Sequence, residues 1–127
     1  MTKSEKLNFL FLFLLGGISS FSLPPYNFFF TNFISYIFLF LFLVGAKNSN
    51  KSTLIFFLYG WVFGFGYFIC SLYWISISLT FDKSFKFLIP ISIICIPALI
   101  SIFFGIATLI TKFFLSQKKI ISSVLIF

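Results

Sequence analysis

The sequence has 127 residues, of which 61% are hydrophobic, 24% are aromatic and only 9% are charged. About a quarter of the residues in a soluble globular domain are charged, so this composition excludes a soluble domain with a polar surface. The formal net charge is +7, but the lysines lie in short polar gaps between apolar runs. That arrangement is typical of membrane topology signals rather than of a nucleic-acid interface. The sequence therefore predicts an integral membrane protein with no nucleic-acid partner.

Four long apolar runs predict four complete transmembrane helices. A helix rises about 1.5 Å per residue, so roughly 20 apolar residues cross the hydrocarbon core. The expected fold class is an all-α membrane protein with a helical domain over residues 7–127 and no soluble domain. Residues 1–6 are short and polar and form the expected N-terminal segment. The predicted spans are residues 7–23, 28–46, 54–79 and 87–111, followed by the start of a fifth span at 120–127.

Prolines mark two features of these spans. Pro24 and Pro25 predict the end of the first helix, because proline lacks an amide hydrogen and disfavours helical backbone before it. Pro97 lies near the middle of the fourth run, where it should kink the helix unless neighbouring groups satisfy the freed carbonyl.

A cleaved signal peptide is the alternative for the first run, but no A-x-A cleavage site follows it. Because the fifth run is too short to cross a bilayer, we expect the chain to be a truncated piece of a longer protein.

The distribution of lysines predicts the orientation. The N-terminus, the loop at 47–51 and the segment at 112–119 share one side of the membrane, and the loop at 81–86 lies on the other. The second side carries Lys83 and Lys86. The first side carries the other seven lysines, which are Lys3, Lys6, Lys47, Lys51, Lys112, Lys118 and Lys119. Because basic residues are enriched in cytoplasmic loops, the N-terminus is expected in the cytoplasm.

Few side chains of the sequence could take part in catalysis or bind a metal. The two acids, Glu5 and Asp82, are predicted on opposite sides of the membrane, so they cannot form a carboxylate pair. The sequence has no histidine, no metal-ligand cluster and no phosphate-binding GxxxxGK loop, so no cofactor or metal is expected. The complete spans contain no charged residue, which argues against an ion-coupled transporter. Cys70 and Cys95 lie at similar predicted depths; a disulfide is conceivable, but buried, inert thiols are favoured.

Two groups of residues are candidates for interactions. Small residues that let helices approach closely are Gly16 and Ser20 in the first span, and Gly60, Gly64 and Gly66 in the third. A second group lies at the outer membrane boundary, where lysines could contact lipid phosphate or, alternatively, belong to a solvated loop with aromatic anchors. The members of this group are Tyr73, Trp74, Phe81, Lys83, Lys86 and Phe87.

The order of the motifs resembles the start of the bacterial apolipoprotein N-acyltransferases. The first match is GG at 16–17 leading to FSLPPY at 21–26. The stronger match is GWVFGFGYF at 60–68, followed by YWISIS at 73–78. The fourth run, with PAL at 97–99 and FG at 104–105, also fits. The resemblance covers about residues 7–119.

The resemblance implies a function in lipoprotein biosynthesis. Enzymes of this family lie in the bacterial inner membrane and transfer an acyl chain from phospholipid to the N-terminal diacylglyceryl-cysteine of an apolipoprotein. Their Glu-Lys-Cys triad belongs to a nitrilase-like domain that would lie beyond Phe127, so this chain alone is expected to hold no catalytic residue and to be inactive. The bundle would anchor that domain, with Trp74 and residues 81–87 flanking a lipid entrance beside the third and fourth helices. The alternative is a free-standing small membrane scaffold or partner subunit without catalysis.

Overall fold

The computed structural model describes residues 3–23 and 26–115. These ranges contain no strand, and the all-helical fold class is confirmed for them. The predicted fifth run at 120–127 lies outside the described residues, as do Pro24 and Pro25. The elements are α1 (Lys3–Ser19), a 3₁₀ turn (Ser20–Ser22), α2 (Phe29–Asn48), α3 (Thr53–Leu79), a second 3₁₀ segment (Lys83–Leu88) and α4 (Ile89–Leu115).

Three helical segments in the described part are long and apolar enough to cross a membrane: Phe29–Asn48, Thr53–Tyr73 and Lys83–Phe114. They correspond to the second, third and fourth predicted spans. The first predicted span differs from the helix observed, because α1 has 17 residues and begins and ends four residues earlier than expected. A membrane crossing by α1 stays a prediction.

Hydroxyl groups accompany the end of α1. Ser19 Oγ donates to the carbonyl oxygen of Gly16 at 2.7 Å, and Ser20 Oγ donates to that of Gly17 at 2.6 Å. Such local bonds compete with the regular backbone pattern, and the chain tightens into the 3₁₀ turn that follows. The helix therefore ends before the proline pair is reached.

A Schellman motif ends α2 and sets the turn into α3. Asn50 has a φ of 51°, a left-handed conformation that asparagine tolerates better than most residues. The amide of Asn50 donates to Lys47 O at 3.0 Å, and the amide of Lys51 donates to Ala46 O at 3.0 Å. This turn satisfies carbonyls at the end of α2 and directs the chain back through the bundle.

The helix α3 lies between α1 and α4 and makes most of the interhelical contacts, whereas α2 is peripheral. Glycines bring the backbones together on both sides. A Cβ atom at Gly16 would overlap the carbonyl oxygen of Phe63, and one at Gly66 would overlap that of Phe13. On the opposite side of α3, a Cβ at Gly60 would lie 2.5 Å from the carbonyl oxygen of Phe104. Small residues at these crossings allow the close packing on which helix association in lipid depends.

Aromatic and aliphatic side chains fill the spaces between the crossings. Phe63 of α3 is fully buried, with its ring centroid 5.7 Å from that of Tyr36 in α2 and 5.9 Å from that of Phe104 in α4. Phe63 therefore links three helices. The buried hydrophobic core consists of Leu12, Leu15, Leu39, Leu43, Ala46, Phe56, Tyr59 and Phe63.

Polar contacts join α3 and α4 along their length. The indole Nε1 of Trp61 donates to the carbonyl oxygen of Ala98 at 3.0 Å, one residue beyond the buried Pro97, and α4 continues through that proline. Thr108 Oγ1 lies 2.8 Å from the carbonyl oxygen of Phe56 in α3 and 2.8 Å from that of Gly105 in its own helix, so its hydroxyl is shared between the two acceptors. Lys112 Nζ donates to Thr53 Oγ1 at 2.6 Å. These bonds fix the position of α4 along the axis of α3.

An ion pair ties the start of α1 to the α2–α3 turn. Lys51 Nζ lies 2.5 Å from Glu5 Oε1, and neither side chain is fully exposed. The hydrogen bond to Glu5 raises the pKa of Lys51 above its usual value. The pair places the N-terminal ends of α1 and α3 at the same end of the bundle, so these two helices run parallel.

Candidate functional site

An open groove lies between the C-terminal halves of α1 and α3 and extends to the turn after α1. Its volume is about 820 Å³, within the roughly 300–1,000 Å³ range of ligand pockets. None of the described residues that line it is charged. The lining residues are Phe13, Leu14, Gly17, Ile18, Ser20, Phe21, Leu23, Tyr26, Ile69, Cys70, Ser71 and Tyr73.

Two neighbouring glycines of α1 have different surroundings. Gly16 contacts the backbone of α3, where its Cβ would lie 2.9 Å from the amide nitrogen of Tyr67 as well as overlapping a carbonyl oxygen. Gly17 lines the groove instead, and the one heavy atom that its Cβ would meet is Cys70 Sγ at 3.4 Å, an ordinary contact distance. Successive residues on a helix point about 100° apart, which explains the difference. Gly16 permits packing, and Gly17 leaves the wall of the groove without a side chain.

The polar groups of the groove are few. Ser20 Oγ is used in the bond to Gly17, and Ser71 Oγ lies 3.5 Å from its own helix carbonyl at Phe68. Tyr26 packs edge-to-face on Phe21, with ring centroids 5.2 Å apart, and its hydroxyl makes no hydrogen bond to the described residues. The Tyr73 side chain is 61% exposed. Two tyrosine hydroxyls are therefore available to a ligand in an otherwise apolar groove.

The structure separates the residues of the hypothesised lipid entrance. Tyr73 lines the groove and also borders a pocket of about 10 Å³ against α4. Trp74 follows it in α3, but its side chain lies outside the described part. Phe81 and Phe87 are 87% and 70% exposed in the α3–α4 connection and do not line the groove. The larger opening thus lies on the α1 side of α3 and not on the α4 side.

Lys83 and Lys86 lie on the 3₁₀ segment of the same connection. Residues three apart eclipse on a 3₁₀ helix, so their ammonium groups extend from one side of it. The neighbouring Asp82 accepts a bond from the amide of Ser84 at 3.0 Å and caps the segment. Both lysines are exposed, and the exposed aromatic residues beside them are suited to a membrane boundary.

The cysteines differ from expectation. Cys70 and Cys95 are both free and both exposed at the surface of their helices, so the predicted burial within the protein is wrong, and the inertness of the thiols stays a prediction. The sequence placed them at similar depth but did not show which way they point on their helices. Cys70 lines the groove opposite Gly17, whereas Cys95 lies on the outer surface of α4.

Sequence reasoning missed Gly17, Cys70 and Tyr26 as residues of one groove. The signal available was the pair GG at 16–17, in which one glycine is enough to explain helix packing. Which glycine faces α3 depends on the rotation of α1 about its axis. The apolar pattern around α1 does not define that rotation, because apolar residues lie on all sides of the helix.

Comparison with known proteins identifies the family. A family model described as the apolipoprotein N-acyltransferase N-terminal domain matches residues 15–127. An apolipoprotein N-acyltransferase of Rhizobium etli is 36% identical over 108 residues, and one of Rhizobium leguminosarum bv. trifolii is 35% identical over 108 residues. One of Brucella melitensis is 30% identical over 106 residues.

The first two matches cover 80% of this chain and the third covers 79%. All three cover 20% of the relative, so the chain spans about a fifth of the length of these curated relatives. No solved structure matches the chain. The apolar helices and the family match together establish that this multi-pass membrane chain belongs to the apolipoprotein N-acyltransferase family, through its N-terminal domain.

Proposed function

We propose that this chain is the membrane-anchor and lipid-access region of an apolipoprotein N-acyltransferase of the bacterial inner membrane. The enzyme transfers an acyl chain from phospholipid to the N-terminal diacylglyceryl-cysteine of lipoproteins. The family match over residues 15–127 carries this proposal. Because the chain spans a fifth of its relatives, acyl transfer itself is assigned to the remainder of the full-length enzyme.

The described side chains suit an anchor better than a catalytic centre. Both acids have local roles, since Glu5 pairs with Lys51 and Asp82 caps the 3₁₀ segment. No group of three or more potential metal ligands occurs within residues 3–23 and 26–115. The backbone contacts of α3 with α1 and α4 instead form a closely packed platform. Such a platform would hold a catalytic domain at the membrane surface.

Lipid access is assigned to the end of the bundle that carries the α3–α4 connection. The groove opens there at Tyr26 and Tyr73, and the connection adds exposed aromatic residues and two lysines. Aromatic rings and snorkelling lysines are favoured where hydrocarbon meets water. On this proposal the α3–α4 connection faces the periplasm, and the α2–α3 turn faces the cytoplasm.

Reporter fusions test this orientation. An enzyme that is active only outside the cytoplasm should be active when it is fused after Phe85 and inactive when it is fused after Ser49. The physical reason is the excess of lysine at the Ser49 end, which opposes translocation. A cytoplasm-specific reporter at the same two positions serves as the control and should give the opposite pattern. Periplasmic activity at Ser49 would refute the orientation.

A chimera tests the function. The aligned N-terminal region of the Rhizobium etli enzyme is replaced by this chain, and the chimera is expressed in cells depleted of their own enzyme. Mass spectrometry of a lipoprotein N-terminus measures the added acyl chain. We expect the chimera to retain most of the parent activity, because the family match covers residues 15–127.

An exposed-site variant of the chimera, Gly45→Leu, provides the matched control, because a Cβ at Gly45 meets no atom within 4 Å. It should be as active as the chimera. A chimera that inserts at the parent level but adds no acyl chain would contradict the proposed function.

A further inference from the structure

We infer that one water molecule binds between α3 and α4 beside Pro97, where it donates a hydrogen bond to the carbonyl oxygen of Ile93. The hydroxyl groups of Ser92 and Tyr73 complete its hydrogen bonds, so the water joins the two helices. The inference concerns the described residues alone and is independent of the proposed function.

Pro97 lies inside α4 and leaves one carbonyl of that helix without its regular donor. In an α-helix each amide donates to the carbonyl four residues earlier, and proline has no amide hydrogen. Because α4 continues through Pro97, the carbonyl concerned is that of Ile93. A carbonyl that is freed in this way inside a membrane span needs a replacement donor, which can be a neighbouring side chain or an ordered water.

Two side-chain donors near Pro97 are directed to a different carbonyl. Trp61 Nε1 donates to the carbonyl oxygen of Ala98 at 3.0 Å, and Ser101 Oγ donates to the same oxygen at 2.9 Å. Both bonds stabilise the turn of α4 that follows the proline. The carbonyl of Ile93, in the turn before the proline, is left for another donor.

Ile93 and Pro97 line a small cavity between α3 and α4. Its volume is about 10 Å³, close to the space of about 10–15 Å³ that one water molecule needs. A lipid chain or headgroup is too large for this cavity, and a purely apolar occupant would leave the carbonyl without a hydrogen bond. Water is therefore the ligand that matches both the size and the polarity of the cavity.

Two hydroxyl groups supply the other partners. Ser92 and Tyr73 also line the cavity, and neither hydroxyl makes a hydrogen bond within residues 3–23 and 26–115. A buried water is held by about two to four polar partners. The carbonyl of Ile93 and these two hydroxyls give it partners on both helices.

Radiolytic labelling tests the site on the full 127-residue chain in detergent micelles. A brief X-ray pulse converts water to hydroxyl radical where the water lies, and mass spectrometry locates the oxygen added to the adjacent side chain. Pro97 is the reporter, because it lines the cavity and is fully buried from bulk solvent. Phe63 is the internal control, because it is also fully buried, does not line this cavity and carries a ring that reacts readily with the radical.

We expect Pro97 to gain oxygen and Phe63 to stay at the level of an unirradiated sample. A Pro97 side chain that also stays at that level would overturn the inference, because no water would then lie beside it. Equal labelling of Phe63 would overturn it as well, since water would then enter the bundle without a specific site.

Ser92→Val should abolish the labelling of Pro97, because it removes one hydroxyl and places a methyl group in the cavity. Ile69→Phe makes the same test from the α3 wall of the cavity, in case the first variant does not fold. The matched control is Cys95→Val on the exposed surface of α4, which should behave as the unmodified chain. Circular dichroism shows which variants keep their helix content. Labelling of Pro97 that persists in a folded cavity variant, or that is lost equally in the control, would overturn the inference.

Discussion

Gly16→Leu should separate α1 from α3 and lower the free energy of unfolding by about 3 kcal/mol, the upper end of the usual cost of overpacking. The atoms in the way belong to the backbone of α3, namely the carbonyl oxygen of Phe63 and the amide nitrogen of Tyr67. A flexible side chain can rotate away from an inserted group, but a helix backbone moves only as a whole. The substitution therefore shifts one helix against the other.

Reversible unfolding in mixed micelles of mild detergent and sodium dodecyl sulfate measures this loss. Gly45→Leu is the control, because Gly45 has open space around its Cβ position. It should leave the free energy of unfolding unchanged or raise it slightly, since leucine favours a helix over glycine by about 0.5–1 kcal/mol. Similar destabilisation by the two variants would mean that helix contact at Gly16 is not required.

Phe63→Ala should have the second largest effect, a loss of about 2 kcal/mol. The corresponding change in a soluble core costs about 3–5 kcal/mol, part of which is the transfer of the ring from water. In a bilayer the separated helices expose the ring to lipid instead, so that part is small and the cost of the cavity remains. The cavity would lie where Phe63 meets Tyr36 and Phe104.

The control for this prediction is Phe103→Ala on α4, where the ring is 73% exposed. It should change the free energy of unfolding by less than about 0.5 kcal/mol in the same micelles. If Phe103→Ala lowered the free energy of unfolding as much as Phe63→Ala, general loss of aromatic surface would account for both effects. The contact of Phe63 with three helices would then make no additional contribution to stability.

The sequence predicts much of this architecture for simple physical reasons. Long uncharged runs separated by polar gaps gave the positions of α2, α3 and α4, because a bilayer requires that pattern. The helix α1 begins at Lys3, within the polar segment that the sequence places before the first span, and the position of that span stays a prediction. Charged residues are compatible with a helix that extends beyond the hydrocarbon, so polarity does not mark where a membrane helix begins.

The groove could not be predicted, because it depends on how helices rotate and cross. The sequence identified small residues as candidates for packing but did not distinguish Gly16 from Gly17. The family resemblance associated the lipid entrance with the third and fourth helices, and that location stays a prediction. The groove beside Tyr73 involves α1, which lies far from α3 in sequence.

The parallel contact between α1 and α3 has a consequence for biosynthesis. Because α1 packs mainly on α3 and only weakly on α2, the α1–α2 hairpin has no complete interface of its own when it leaves the ribosome. The face of α1 that carries Gly16 has no packing partner until α3 has been synthesised and inserted. Assembly of this bundle therefore begins late, and mutations on α3 should leave earlier helices exposed to membrane quality control.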